Sequence, residues 1–286
     1  MLINNSIFKK LANQVLENTL VKEDLRVYCF DQTEKALKSW ESNKPNKATR
    51  DINKAIQFLP DVPFLLIMKA LFYCSAKKTV ESNSIIDSLN EIELSELELN
   101  LMQYIASCNH VHERKFHESI WFADEIIKRD EKAYYAYFPK AISLQELNEH
   151  KKAIKNFKIA LKEKLLLNEI KACLAFSYMK NKRFIKALVL HLSVKKYFEE
   201  NYKVNHHIGV NFFLLNFFAK SLKYVNKSIE LKSDFAEAYR TRGLIYLTQG
   251  KKSKAKEELE IARKLGATDI DKTMNRFKLN EKNNEA

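Results

Sequence analysis

Four side chains with metal-binding chemistry stand close together in the segment CNHVHERKFHE: Cys108, His110, His112 and His117. Imidazoles and a thiolate at this spacing are chemically able to hold zinc or copper. The condition is convergence, and the helical register set out below places His110 on a packed face of one helix and His117 on the next. The expectation is therefore no metal and no cofactor. His206 and His207 fall on a helix surface, as polar wall residues rather than ligands. Covalent and acid–base chemistry finds less support still. No serine lies in a GxSxG turn and no HExxH occurs. Glu199-Glu200 and Glu257-Glu258 are sequence neighbours, which point in different directions on a helix. The sequence thus offers no catalytic residues, and the protein is read as not an enzyme.

Glycine usage leads the same way. Phosphate-cradling loops and nucleophile elbows need glycine where backbone approaches a ligand or turns to positive φ. Only four glycines occur, Gly209, Gly243, Gly250 and Gly266, too far apart to build such a loop. With four prolines, the chain lacks the punctuation of sheets and predicts an all-α protein with short connections. Cys29, Cys74, Cys108 and Cys173 form no CxxC pair and read as reduced thiols. No apolar run reaches the roughly 18 residues of a membrane span, and the first residues do not read as a signal peptide. A cytoplasmic protein is the expectation.

The elements that must position these residues recur with a period. AEAYRTRGLIYLTQGKKSKAKEELEIARKLGA, from Ala236, resembles a tetratricopeptide repeat, with Tyr239, Gly243, Tyr246, Gly250, Ala255, Leu259 and Ala262 at that family's signature positions. Steps of 34 residues, and one of 37, place repeat starts at 236, 202, 168, 134, 100, 63 and 29. In the first helix of each hairpin a small residue recurs: Ala36, Ala70, Ser107, Ala141, Ala175, Gly209 and Gly243. The second helix gives Ala48, Ser82, Ser119, Ala153, Ala187, Ser221 and Ala255. Large side chains at a helix crossing would push the axes apart, so these columns mark the closest approach. A third column, facing the next hairpin, reads Ala55, Leu89, Ile126, Ala160, Val194, Ser228 and Ala262.

The resemblance implies seven repeats over residues 29–269, arranged as a right-handed superhelical α-solenoid. A helix at residues 6–20 within an N-terminal cap (1–28), and a short C-terminal helix within 270–286, would cover the open ends. Three extra residues fall near 88–99. Pro139, inside an expected first helix, should kink it or delay its start. Thr268 or Asp269 would cap the last helix, with Ile270, Met274 and Phe277 on one side.

The family's groove-facing positions, carried over residue by residue, give Tyr104, Tyr135, Phe138, Ile142, Phe176, Met179, Lys180, Lys203, His206, Phe213 and Arg240. Members that clamp a terminal carboxylate use lysine and asparagine where this chain has Thr33 and Leu37, so no such clamp is expected. The implied function is a scaffold or adaptor binding an apolar or amphipathic segment of a partner protein, with aromatic anchors.

Charge supplies a competing reading. The net charge is +13, but residues 1–133 carry 18 Lys and Arg against 20 Asp and Glu, whereas residues 134–286 carry 31 against 16. Lys151, Lys155, Lys158 and Lys162 share one helix face, and Lys251, Lys252, Lys254 and Lys256 cluster in the last hairpin. Such a basic half could meet nucleic-acid phosphates, an acidic partner or an anionic membrane. With 40 lysines to 9 arginines, nucleic-acid contact would be nonspecific. Self-association through the N-terminal helix is a third reading.

Overall fold

The structure is a computed structural model that describes residues 23–163, 166–277 and 279. The expected N-terminal helix at 6–20 and the tail from 280 lie outside the described residues. Among the described residues there are fifteen α-helices and no strand. The described residues form two compact units, which divide between Ile170 and Lys171.

The first unit contains α1 (Glu23–Glu41), α2 (Pro45–Phe58), α3 (Pro63–Ser75), α4 (Thr79–Leu89), α5 (Glu96–His112), α6 (Phe116–Arg129), α7 (Tyr137–Glu146) and α8 (His150–Ala160). Helix α9 (Leu167–Lys180) starts at its end. In the second unit follow α10 (Phe184–Val194), α11 (Tyr202–Leu214), α12 (Phe218–Leu231), α13 (Ala236–Thr248), α14 (Lys252–Lys264) and α15 (Ile270–Arg276). Within each unit, consecutive helices pack as antiparallel pairs: α1 on α2, α3 on α4, α5 on α6, α7 on α8, α11 on α12 and α13 on α14.

All three recurring columns are buried, and every small residue of the two crossing columns lies in the interior. The serines there also bond across the pair. Ser82 Oγ donates to the Ala70 carbonyl at 2.8 Å, Ser107 Oγ to the Ser119 carbonyl at 2.8 Å, and Ser221 Oγ to the Gly209 carbonyl at 2.7 Å. Each of these joins residues twelve apart, the spacing between the two columns. Serine is tolerated in this dry layer because its hydroxyl finds a carbonyl at once. Ser143 Oγ extends one of these links by donating to Ser119 Oγ at 2.8 Å, tying α7 to α6.

The turn inside each pair has a second recurring feature. Asn43, Lys77, Arg114, Asn148, Lys182, Asn216 and Gly250 all adopt positive φ, between 56° and 74°. The residue after each donates its N–H to the carbonyl five positions back, at 2.8–2.9 Å, as in Lys44 to Ser39 and Lys251 to Tyr246. This is the Schellman ending, which satisfies a carbonyl the helix would otherwise orphan. Only Gly250 occupies the left-handed region without Cβ strain. Lys77, exposed at one such turn, therefore carries a local cost. Lys77→Gly is expected to raise stability by about 0.5–1 kcal/mol in a urea titration, the relief of strain exceeding the entropy glycine adds to the unfolded chain.

The irregular places follow their sequences. Pro139 delays its helix, since residues Tyr134–Ala136 form a 3₁₀ turn and α7 starts only at Tyr137. The extra residues near 88–99 lengthen the α4–α5 connection and the start of α5, where Ser95 and Glu98 form a capping box. At the C-terminal end, Ile270 and Met274 of α15 pack with Leu259 and Ala262 of α14 and with Leu279. Two details depart from the sequence reading. Asp269 precedes α15 in a left-handed conformation (φ 58°) and makes no side-chain cap. Phe277 is 43% exposed rather than packed with Ile270 and Met274.

Candidate functional site

In the first unit, Tyr104, Tyr135, Phe138 and Ile142 come from the first helices of successive pairs, α5 and α7, and from the 3₁₀ turn between them. Helix α7 packs directly against α5, and that contact takes Tyr104 into the interior, where it is 0% exposed. Its ring meets Tyr135 edge-on at 5.4 Å, and burial pushes both phenols above their ordinary range, Tyr135 to about 12. Phe138, 4% exposed, packs on Phe157 of α8. Tyr104 and Phe138 are thus core beneath a wall rather than surface anchors. Tyr135 and Ile142 are partly exposed.

In the second unit, α9, α10, α11 and Phe235, just before α13, supply a seam of aromatic and imidazole rings. Phe176 lies 4.8 Å from His207, and His207 lies 5.6 Å from His191 and 5.9 Å from His206. His206 pairs with Thr241 Oγ1 of α13 at 2.9 Å and meets Phe235 edge-on at 5.1 Å. Burial holds His191 and His206 down at about 4, so both are neutral at pH 7. Burial and the charges around it also lower His207, which faces His191, His206, Lys180 and Lys203. His206 and Met179 are 8% exposed each and belong to the interior. Lys180 is exposed with its ammonium over Phe176, 5.4 Å from the centroid, and Lys203 is exposed over Tyr202 at 5.9 Å. Arg240, half-buried, pairs with Glu237 one turn earlier on α13. Phe213 is partly exposed and packs against Phe218.

Phe213 also lines a cleft of this unit, about 520 Å³ in volume, between α11, α13 and α15. Its apolar side is Phe213, Leu244, Leu247 and Phe277. Its polar side is Asp269, Lys272 and Arg276, all from the C-terminal helix and the turn before it. The sequence points to Phe213 but presents α15 only as a cover, not as part of the cleft. The available signal was Lys272 and Arg276, one helical turn apart beside Phe277.

The Cys/His segment does not converge. His110 stacks on Phe122 at 5.3 Å, His112 and His117 are exposed, and Cys108 is buried. No group of three or more metal-ligating side chains comes together among the described residues. The partner of Cys108 is Cys74, from the packed neighbour α3. The Cys108 thiol hydrogen-bonds to Cys74 and lowers its pKa, with help from His112, while burial raises Cys108 itself. Thr33 and Leu37, where the family's clamping members have lysine and asparagine, are buried.

Each unit is an all-α set of packed helical hairpins, the fold seen in tetratricopeptide proteins. Solved structures share the fold. YrrB, described as a tetratricopeptide protein with an unusual peptide-binding site, aligns over 66% of this chain and 96% of its own at 15% identity, with a TM-score of 0.53. MamA from Desulfovibrio magneticus RS-1, residues 41 to the end, aligns over 58% of this chain and 94% of its own at 14% identity, TM-score 0.52. MamA AMB-1 covers 58% and 98% at 13% identity, TM-score 0.51. At these identities the likeness is one of fold. No protein-family model and no curated protein matches the sequence. No described helix is long and apolar enough to cross a membrane.

Proposed function

We propose that this protein is a non-enzymatic scaffold that holds a partner protein by an apolar or amphipathic segment laid along the first helices of its hairpins. The division that accompanies this reading is seven repeats starting at 29, 63, 100, 134, 168, 202 and 236, with caps at 1–28 and 270–286. The observation that carries it is the cleft of the second unit, where Phe213, Leu244, Leu247 and Phe277 offer an apolar floor beside Lys272 and Arg276. Walls made of packed helices lose little freedom on binding, which favours capture of an extended or helical segment. The YrrB likeness, a fold otherwise seen with a peptide-binding site, supports the same reading. A cytoplasmic location accompanies it.

Arg276 and Phe277 are exposed, so Arg276→Glu with Phe277→Ser is expected to leave the fold intact, checked by circular dichroism. Capture of the partner from a lysate of the native host, identified by mass spectrometry, is expected to weaken by about tenfold or more, since a central aromatic contact and an adjacent cation are lost together. Undiminished capture would remove the cleft from the proposal.

The exposure of Lys151, Lys155 and Lys158 along one face of α8, and of Lys162 in the 3₁₀ turn that follows it, favours a second reading, nonspecific binding of nucleic-acid phosphates. It would announce itself as affinity that falls steeply across a salt series and ignores sequence.

A further inference from the structure

We propose that the outward face of α10 is a docking surface for an anionic lipid bilayer. This helix turns Ala187, His191 and Val194 inward, where all three are buried. Its opposite face carries Ile185, Val189 and Leu192, which are 70%, 61% and 39% exposed. These three lie at the i, i+4, i+7 spacing of a single helical stripe. A second-layer helix of a stacked hairpin ordinarily shows water a charged face, so three aliphatic side chains in one exposed row call for an occupant.

Charge identifies that occupant. From Asn181 to Lys196 the chain has Lys182, Arg183, Lys186, Lys195 and Lys196 and no acidic residue. All five cations are exposed. Helical periodicity puts Lys186 on one flank of the aliphatic row and the C-cap residue Lys195 on the other, and Lys196 follows in the turn after the helix. Lys195 leans over Tyr224 of α12, 5.6 Å from the centroid. Tyr197, 59% exposed, stands at the end of the row, an amphipathic ring suited to the headgroup level. Glu199 and Glu200 lie beyond it, and Glu200 faces Lys227 at 3.9 Å. Aliphatics that enter the acyl boundary, with lysines beside them reaching back to phosphates, make up the pattern of a helix lying in a membrane interface.

A second copy fits this face poorly, because a symmetric contact would set five cations against five. An acidic protein would need an apolar trough complementary to this exposed row, whereas a bilayer accommodates a row of any shape. The proposal concerns a different face from the cleft and stands or falls separately from it.

The test is co-sedimentation of the full chain with vesicles of phosphatidylcholine alone or mixed equally with phosphatidylserine. Sedimentation with the mixed vesicles, reversed by salt, and little with phosphatidylcholine alone is the expected result. Ile185→Ser with Val189→Ser should lower partitioning by about tenfold or more, from the apolar surface withdrawn. Lys186→Glu with Lys196→Glu should lower it by a similar factor through charge alone. Soluble glycerophosphoserine should fail to compete, since it offers the charge without the acyl layer. Far-UV circular dichroism is expected to be unchanged in both variants, and the charge variant decides the question if the serine variant misfolds. Three outcomes would overturn the proposal: no sedimentation with the mixed vesicles, partitioning indifferent to both substitutions, or full competition by the free headgroup. So would a dimer of the wild-type chain, seen by light scattering, that the serine variant dissolves, because the face would then belong to a second copy.

Discussion

Gly209→Leu is expected to lower the stability of the second unit by about 3 kcal/mol or more, and Gly209→Ala to lower it as well, despite alanine's better helix propensity. Two effects oppose each other in the alanine case. Inside α11 the methyl group gains about 1 kcal/mol of propensity. Against this, a Cβ at Gly209 would sit 2.7 Å from Val225 Cγ2, 3.2 Å from the Val225 nitrogen and 3.3 Å from the Ser221 carbonyl. Val225 is wholly buried and β-branched, so it has no alternative rotamer to take, and the other two atoms are backbone. Contact therefore outweighs propensity. A leucine adds three more carbons at the tightest point of the α11–α12 crossing, where overpacking costs about 1–3 kcal/mol in ordinary cores and more where backbone must yield. Urea titration followed by circular dichroism reads both variants. Unchanged stability in Gly209→Leu would mean that the two helices do not approach closely there.

The second large effect concerns acid. His191 and His206 have folded pKa values near 4 against about 6.5 for the unfolded chain, the cause in each case being burial. The unfolded state therefore binds protons that the folded state refuses, and stability falls as pH drops below 6.5, levelling only near 4. Between pH 6.5 and 5, before most carboxylates titrate, each imidazole should remove about 2 kcal/mol. His207, pushed in the same direction, adds to the loss. Lys180 and Lys203 act on His207 and Arg240 on His206, so no nearby acid rescues the charged forms, Glu237 being engaged with Arg240. Urea midpoints measured across this window should decline steeply, and a His206→Asn variant should decline less. A flat profile would show that these rings are hydrated in solution.

Much of the fold was legible because the crossing of paired helices is a steric constraint that few residue types satisfy. Ala141 with Ala153, or Gly209 with Ser221, announces itself without any structure, and the third column, from Ala55 to Ala262, is buried throughout. The turns were less legible. Left-handed positions were readable at Gly250 and suggested by Asn43, Asn148 and Asn216, but Lys77, Arg114 and Lys182 adopt the same φ with no compositional sign, held there by the bonds that end each helix. Depth was the least legible quantity of the candidate site. Groove positions carry over from the family as a direction from the helix axis, and that direction does not say how far the neighbouring first helix covers them. Hence Tyr104, Phe138, Met179 and His206 lie in the interior, while Phe213, Lys180 and Lys203 reach the surface. The Cys108 environment was missed for a related reason. Sequence proximity suggested the histidines at 110, 112 and 117, whereas packing of α5 on α3 supplied Cys74.

The central claim is that a partner segment lies along the first helices of the hairpins. Hydrogen–deuterium exchange on the full chain, alone and with its captured partner, reads this helix by helix. Slower exchange in α9, α11 and α13 and in α15, with the strongest protection next to the Phe213 cleft, is the predicted result. Protection falling instead on α8, α10, α12 and α14, with the first helices unaffected, would contradict it.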